Sequence, residues 1–280
     1  MRSIRQLLSG TTAFFFVLAP LASLAVDKDV PFVPTDEAVV EVMLKLADVG
    51  PKDTLYDLGS GDGRIVIMAA KERGAHGVGV DIDPERIAES RANAKRAGVT
   101  DKVQFIEGDL FKVDLRPATA VTLYLLPAVN LKLRPKLLAE LRPGTPIVSH
   151  DFDMGDWAPE TTVKVGNATV YLWHVPARVA GTWRYHVTAP GGKNERHQLQ
   201  LTQDLDKVRG TVTMDGRSFP VENGRVDGER VMFTVKRPRQ GAMVVQRYEG
   251  RMVDGRISGV IAADDGGNTG RRLARTDSNE

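Results

Sequence analysis

The spacing of apolar residues divides the chain into two parts. Between residues 38 and 175, short apolar runs alternate with stretches of helical period; beyond Ala180 only two-residue alternation is left. In the first part, residues 54–58, 77–81, 103–106, 118–126 and 145–152 read as buried strands, and 161–165 and 169–175 bring the count to seven. Helices are predicted over residues 38–49, 64 to about 72, 85–97 and 127–141. Thr35 is the expected N-cap of the first helix, with Asp36 and Glu37 in its first turn and Gly50-Pro51 as its stop. Asp83-Pro84 reads as N-cap and first helical position of the third, which Gly98 ends. Pro135 should kink the fourth helix or start another. Such alternation implies an α/β fold, a parallel sheet with helices on both faces. After Ala180 the inward positions are Trp183, Tyr185, Val187, Leu199, Leu201, Val208, Val212, Met214, Val231, Phe233 and Val235. Turn pairs such as Asp215-Gly216, Asn223-Gly224, Asp227-Gly228 and Asp254-Gly255 separate them. About eight strands at this spacing imply a small antiparallel β-barrel or sandwich.

The most informative stretch is Leu55-Tyr56-Asp57-Leu58-Gly59-Ser60-Gly61-Asp62-Gly63-Arg64, a strand, a glycine turn and a helix start. Glycines this dense let a ligand approach the main chain where a Cβ would collide. The dinucleotide fingerprint places its third glycine three residues after the second; here the interval is two, and Asp57 stands two before the first glycine. Two further strands also end in acid. One is the tract Gly77-Val78-Gly79-Val80-Asp81-Ile82-Asp83, the other Val103-Gln104-Phe105-Ile106-Glu107-Gly108-Asp109-Leu110. Ligands of open parallel sheets bind at the carboxyl ends of the strands, where all these groups lie.

The D-x-G-x-G-x-G turn and the three strand-then-acid units resemble class I, seven-strand, Rossmann-like S-adenosylmethionine methyltransferases. The resemblance implies S-adenosylmethionine as cofactor, bound by Asp57, Gly59, Ser60, Gly61, Gly63, Asp81, Ile82, Asp109 and Leu110. In it Asp57 accepts from the methionyl amino group and Asp81 takes the ribose hydroxyls. Ile82 covers the adenine and Asp109 accepts from its amino group, with Leu110 beside it. Over residues 30–175 the chain is similar to the protein-lysine branch of these enzymes, which includes those acting on membrane-associated subunits and the non-SET histone enzymes. That likeness rests on Pro31-Phe32-Val33-Pro34-Thr35, on the glycine turn and on the aspartate-rich tract ending in Trp157. It implies methylation of a lysine amine or another small nucleophile, with a protein acceptor expected. The Asn/Asp-Pro-Pro-aromatic motif of base methyltransferases is replaced by Leu123-Tyr124-Leu125-Leu126-Pro127, so no nucleic-acid partner is expected.

Candidate acceptor-side residues are Tyr124, Asp151 and Trp157. Asp151 would orient an amine, Trp157 would wall the channel and Tyr124 would supply a polar edge. Phe32 or Thr35 would join the site if the first helix closes over the cofactor; plain capping and packing explain them equally. His150 with Asp151, Asp153 and Asp156 could suggest a divalent-metal site, but two ligands on adjacent residues of one strand point to opposite faces, so no metal is expected. Gly181-Thr182-Trp183 and Phe233-Thr234-Val235 resemble small β modules of bacterial exported proteins, which implies fold alone.

Composition adds the compartment. Arg2 and Arg5 precede an apolar run over 12–24, interrupted by Pro20, and Ser23-Leu24-Ala25 suits cleavage after Ala25. Residues 1–25 are therefore expected to be a signal peptide, or alternatively a membrane anchor. Removing Arg2 and Arg5 from the 38 basic residues leaves 36 against 36 acidic ones, so no charged surface for nucleic acid is indicated. There is no cysteine, which excludes disulfides and thiol chemistry. The expected organisation is a leader (1–25), a methyltransferase domain (26–178), an all-β domain (179–275) and a disordered tail (276–280). Export conflicts with a cytosolic cofactor. Either the cofactor reaches the compartment, or the leader anchors a protein facing inward, or the fold serves another purpose. The competing function is a non-catalytic nucleoside-binding protein that keeps this fold; a nicotinamide oxidoreductase is disfavoured by the glycine spacing.

Overall fold

The structure, a computed structural model, describes residues 32–188, 194–239, 241–264 and 269–276. The predicted leader and residues 277–280 lie outside the described residues, as do parts of the turns near 190 and 266.

The first half forms one seven-stranded sheet in the order β3-β2-β1-β4-β5-β7-β6. Its strands are β1 (Thr54–Leu58), β2 (His76–Asp81), β3 (Val103–Glu107), β4 (Ala120–Leu123), β5 (Pro146–His150), β6 (Thr161–Val165) and β7 (Ala168–His174). β1 to β5 run parallel. β7 is antiparallel to both β5 and β6. The reason is local: β6 and β7 are joined through Gly166 and Asn167 alone, and two residues can close a hairpin but cannot make a parallel crossover.

Helices α1 (Glu37–Leu46), α2 (Arg64–Met68) and α3 (Pro84–Ala97) bury Val40, Met43, Val66 and Ile87 on one face of the sheet. On the other face, α4 (Pro127–Glu140) buries Val129, Leu133 and Leu137 with Trp157 and Trp173. α2 widens into a π-turn over Ala69–Arg73. α4 runs unbroken through Pro135; the fully buried Leu133 and Leu137 on either side hold it against the sheet. Asp83 caps α3 as expected, its Oδ1 accepting from the Glu85 amide at 3.0 Å. Thr35 does not cap α1. Asp36 holds that position, and the Thr35 hydroxyl is turned to His150.

The second half is a nine-stranded antiparallel sheet of β8 (Gly181–Thr188), β9 (Asn194–Asp204), β10 (Lys207–Met214), β11 (Arg217–Pro220), β12 (Glu222–Asp227), β13 (Arg230–Arg239), β14 (Ala242–Val253), β15 (Arg256–Asp264) and β16 (Thr269–Thr276), in the order β11-β10-β12-β13-β14-β15-β16-β8-β9. It curls until β9 pairs with β10, so its inward residues Trp183, Tyr185, Val212, Val235 and Tyr248 share one core. The two sheets meet where the β12–β13 turn reaches β7: the Ala177 amide donates to the Gly228 carbonyl at 2.7 Å. Among the described residues no helix is long and apolar enough to cross a membrane.

Candidate active site

The strand order reverses at β1, which lies between β2 and β4. The next helices leave in different directions there, and a crevice opens beyond the carboxyl ends of the strands. The structure has an open cleft of about 170 Å³ at this place. Gly59, Ser60 and Asp62 of the glycine turn line it, whereas Gly61 lies under the Phe32 ring and does not. Gly59, Gly61 and Gly63 all have positive φ (82°, 53° and 79°). A Cβ on Gly59 would lie 2.8 Å from Leu125, which also lines the cleft. Gly63 does not line it; a Cβ there would press on Phe105 and Ser90, so this glycine serves the close packing of α2 and α3 on the sheet.

The amides of the turn hold its own shape. Those of Gly59 and Ser60 both donate to the Val80 carbonyl, at 2.8 and 2.9 Å, and that of Gly63 donates to the Ser60 carbonyl at 2.9 Å. The Gly61 amide donates to Asp81 Oδ2 at 2.7 Å. What the turn offers a ligand is therefore bare main chain and the carboxylates around it, rather than a row of free N–H groups.

Three aspartates stand at the tips of β1, β2 and β3. Asp57 is on β1 and its register partner on β4 is Thr122, whose hydroxyl donates to Asp57 Oδ1 at 2.8 Å. Burial drives the Asp57 pKa up to about 7 against that hydrogen bond, and the charges of Asp81 and Asp62 push the same way. Asp81 accepts from two amides, Gly61 through Oδ2 and Asp83 through Oδ1 at 2.9 Å, which fixes its carboxylate at the cleft edge. Asp109 accepts from the Phe111 amide at 2.9 Å, and this bond, with Lys112 beside it, holds its pKa below the usual range. The cleft also exposes Ile82, with Leu110 nearby. Ser60 lines the cleft through its main chain, while its hydroxyl is buried against Gly79 of β2 without a hydrogen-bond partner. A buried polar group left in that state costs roughly 1–3 kcal/mol.

Of the acceptor-side candidates, Tyr124 lines the cleft. Its ring stacks on His150 with centroids 3.8 Å apart, and on Phe152 at 6.2 Å. Burial raises the Tyr124 pKa, helped by the charges of Asp151 and Asp36. Burial also lowers that of His150, so the imidazole is neutral. Asp151 stands behind this pair with Oδ2 at 3.4 Å from His150 Nε2. Its Oδ1 accepts from the Thr169 amide at 2.8 Å, so the carboxylate also anchors β7. Trp157 is not at the cleft: it is 2 % exposed and packs on Trp173, whose indole N–H donates to the Trp157 carbonyl. An aromatic residue at the end of a polar loop looks like a wall in sequence, but the loop folds back and buries it.

The strap before α1 closes one side. Thr35 Oγ1 is 3.2 Å from His150 Nδ1, and its carbonyl accepts from Arg64 Nη1 at 2.8 Å. The Phe32 ring lies against Gly61, and the Arg86 guanidinium sits 4.9 Å from its centroid. Arg64 and Arg86 also line the cleft, and sequence reasoning missed both. Arg64 had a signal, since it directly follows the glycine turn; Arg86 had none.

Comparison with known proteins agrees with this geometry. Residues 57–161 match a family model described as the ANTKMT methyltransferase domain. A protein-lysine N-methyltransferase of Saccharolobus islandicus (strain REY15A) is 49 % identical over 149 residues, 51 % of this chain and 92 % of that protein. The adenine nucleotide translocase lysine N-methyltransferase of Mus musculus is 36 % identical over 146 residues, 52 % of this chain and 63 % of that one. Among solved structures, an RNA methyltransferase from Salinibacter ruber in complex with S-adenosyl-L-homocysteine is 60 % identical. It covers 52 % of this chain and 96 % of that chain, with a TM-score of 0.52.

Proposed function

The chain belongs to the ANTKMT-like family of protein-lysine methyltransferases, and from that membership we propose that it methylates the side-chain amine of a protein lysine. It is an S-adenosylmethionine-dependent methyltransferase. The residues of the cleft fit that cofactor: bare main chain at Gly59 and three carboxylates at neighbouring strand tips. When bound, the cofactor supplies an activated methyl group and its own leaving group. The protein is then left with the work of positioning, which can lower a barrier by about 7–11 kcal/mol.

In this reading Asp57 accepts from the amino group of the methionyl part, Asp81 from the ribose and Asp109 from the adenine amine. Ile82 covers the base. The acceptor amine enters past Tyr124, whose ring is held by the neutral His150 behind it. Asp36 and Asp151 give that side a negative potential that draws an ammonium group in. The reaction needs the amine neutral with its lone pair in line with the methyl–sulfur bond. A raised phenol pKa keeps Tyr124 protonated and makes it an orienting group rather than a base. The single observation that carries the lysine acceptor is the 49 % identity across 92 % of the Saccharolobus enzyme.

The likeness to the Salinibacter protein supports a second reading, an RNA acceptor. The balanced charge and the tract Leu123-Tyr124-Leu125-Leu126-Pro127 argue for lysine instead. One experiment separates them. The protein is incubated with methyl-labelled cofactor and cell extract, and label is followed into protein hydrolysate and into RNA. Methyl-lysine is the expected product; label in RNA alone overturns the proposal. Within the same proposal residues 1–25 carry the chain out of the cytoplasm or hold it at a membrane, and the second sheet serves attachment or substrate capture. Fractionation with N-terminal sequencing checks the first of these; a mature N-terminus before residue 25 in the soluble cytosol contradicts it.

A further inference from the structure

The seam between the two sheets holds a group of side chains that methyl transfer does not use. Glu160, at the start of β6, His174, at the end of β7, and Asp227, at the end of β12 (Glu222–Asp227), converge there. Each offers a donor atom, and these atoms lie within 4.8 Å of one another. It is the one group of three metal-ligating side chains that converges in this way among the described residues, and none of the three lines the cleft.

The group is already ordered. Glu160 Oε2 lies 2.7 Å from His174 Nδ1, and Oε1 accepts from the His174 amide at 2.9 Å. The Glu160 amide is itself fixed to the Leu172 carbonyl at 2.9 Å. Asp227 comes from the other sheet and is held by its neighbour, Gly228, whose carbonyl accepts from Ala177. Gly228 has a positive φ of 54°, and a Cβ on it would lie 3.3 Å from the Gly144 Cα, so the turn sits flush on the first sheet. The nearby cations are engaged elsewhere: Arg225 Nε is 3.2 Å from Asp206, and Arg230 Nη2 is 2.8 Å from Glu249. Neither guanidinium forms an ion pair with Glu160 or Asp227, although Arg225 stands close enough to act on Asp227 through its charge.

We propose that Glu160, His174 and Asp227 form a divalent-cation site, of the nitrogen–oxygen donor type that zinc takes, which clips the second sheet to the methyltransferase sheet. Zinc bonds to His nitrogen and carboxylate oxygen are about 2.0–2.2 Å, so tetrahedral ligand atoms stand roughly 3.3 Å apart. Shifts of about 1 Å would bring the three donors to that spacing, and a water completes the shell.

The test uses the full chain, treated with chelator, dialysed and titrated with zinc chloride in a calorimeter, with magnesium chloride as a control. One zinc per chain is expected, with little response to magnesium. His174→Ala should abolish that site and Asp227→Asn should weaken it at least tenfold. Zinc should raise the melting midpoint of the wild-type protein by several degrees and that of neither variant. Asp227→Asn can still hydrogen-bond to Glu160, so it remains informative if His174→Ala does not fold. Zinc uptake unchanged by Asp227→Asn would mean scattered surface binding and would overturn the site. So would a wild-type midpoint that ignores zinc, which would leave hydrogen bonds such as those between Glu160 and His174 to hold this place.

Discussion

The two sheets of this protein solve the same packing problem in different ways, and chemistry settles on one of them. The seven-stranded sheet is covered on both faces, so its central strands β1, β2, β4 and β5 are buried along most of their length and its backbone ends at exposed tips. Polar groups forced inside it have specific partners there, as Asp57 has Thr122. The nine-stranded sheet curls around one core and commits its backbone to hairpin ladders from β8 to β16. Its turns carry Asp-Gly pairs that close strands and converge on nothing, except where Asp227-Gly228 meets the first sheet; Asn223-Gly224, expected to be a turn, lies instead inside β12, where the register to β13 shifts. A parallel sheet leaves loops at one end free to gather side chains from several strands. An antiparallel hairpin sheet spreads its loops over both ends.

Whether each sheet stands apart from the other can be measured. The largest effect is expected from Trp183→Ala, which removes a buried ring of the second core. It should cost about 3–5 kcal/mol in the unfolding of that sheet, yet leave S-adenosylhomocysteine affinity within twofold by calorimetry. A large loss of affinity would show that the sheets fold as one unit. Next comes Gly63→Ala. Its positive φ adds roughly 1–2 kcal/mol of backbone strain, and contact with Phe105 and Ser90 adds roughly 1–3 kcal/mol of overpacking. Denaturant unfolding should register it in the first sheet alone.

Asp81→Ala should weaken S-adenosylhomocysteine binding by about 1–3 kcal/mol, the usual loss for deleted hydrogen bonds to a ligand. Unchanged affinity would remove the ribose role. The smallest and most discriminating effect is that of pH. Asp57 must be a carboxylate to accept from an ammonium group, and its pKa in the free protein is about 7. Cofactor affinity should therefore fall about tenfold per pH unit below 7 and level off above it. Asp57→Asn should flatten the profile. In the cofactor-free protein the sign is opposite. The raised pKa contributes stability at low pH that is lost between the ordinary aspartate range, about 4, and about 7. A melting midpoint that falls over this window in the wild type, but not in Asp57→Asn, checks it.

Much of the fold is legible in the sequence because it is local. β1 falls at residues 54–58 as the apolar run predicts, and Asp83-Pro84 caps and opens α3. The glycine turn bends where its residues require it to. Thr35 shows where local reasoning stops. It is a good N-cap by type, but its hydroxyl is 3.2 Å from His150, 115 positions along the chain, and that distant partner wins. Trp157 escapes local reasoning for the same reason: whether an aromatic side chain faces a cleft or a core depends on how its loop returns. The antiparallel β7 needs only a count of residues in the connection, a signal the sequence does contain.

Residues a few positions apart were enough to specify the strand–glycine–helix corner, the three acids at strand ends and the change of period near residue 180. Folding in three dimensions was needed to bury Asp57 beside Thr122, so that it titrates near 7. It was needed as well to lay the strap across the cleft through Thr35 and Phe32, and to bring Glu160, His174 and Asp227 together at the seam. Burial, register and charge proximity are sums over residues distant in the chain, and they take a value only once the chain has folded.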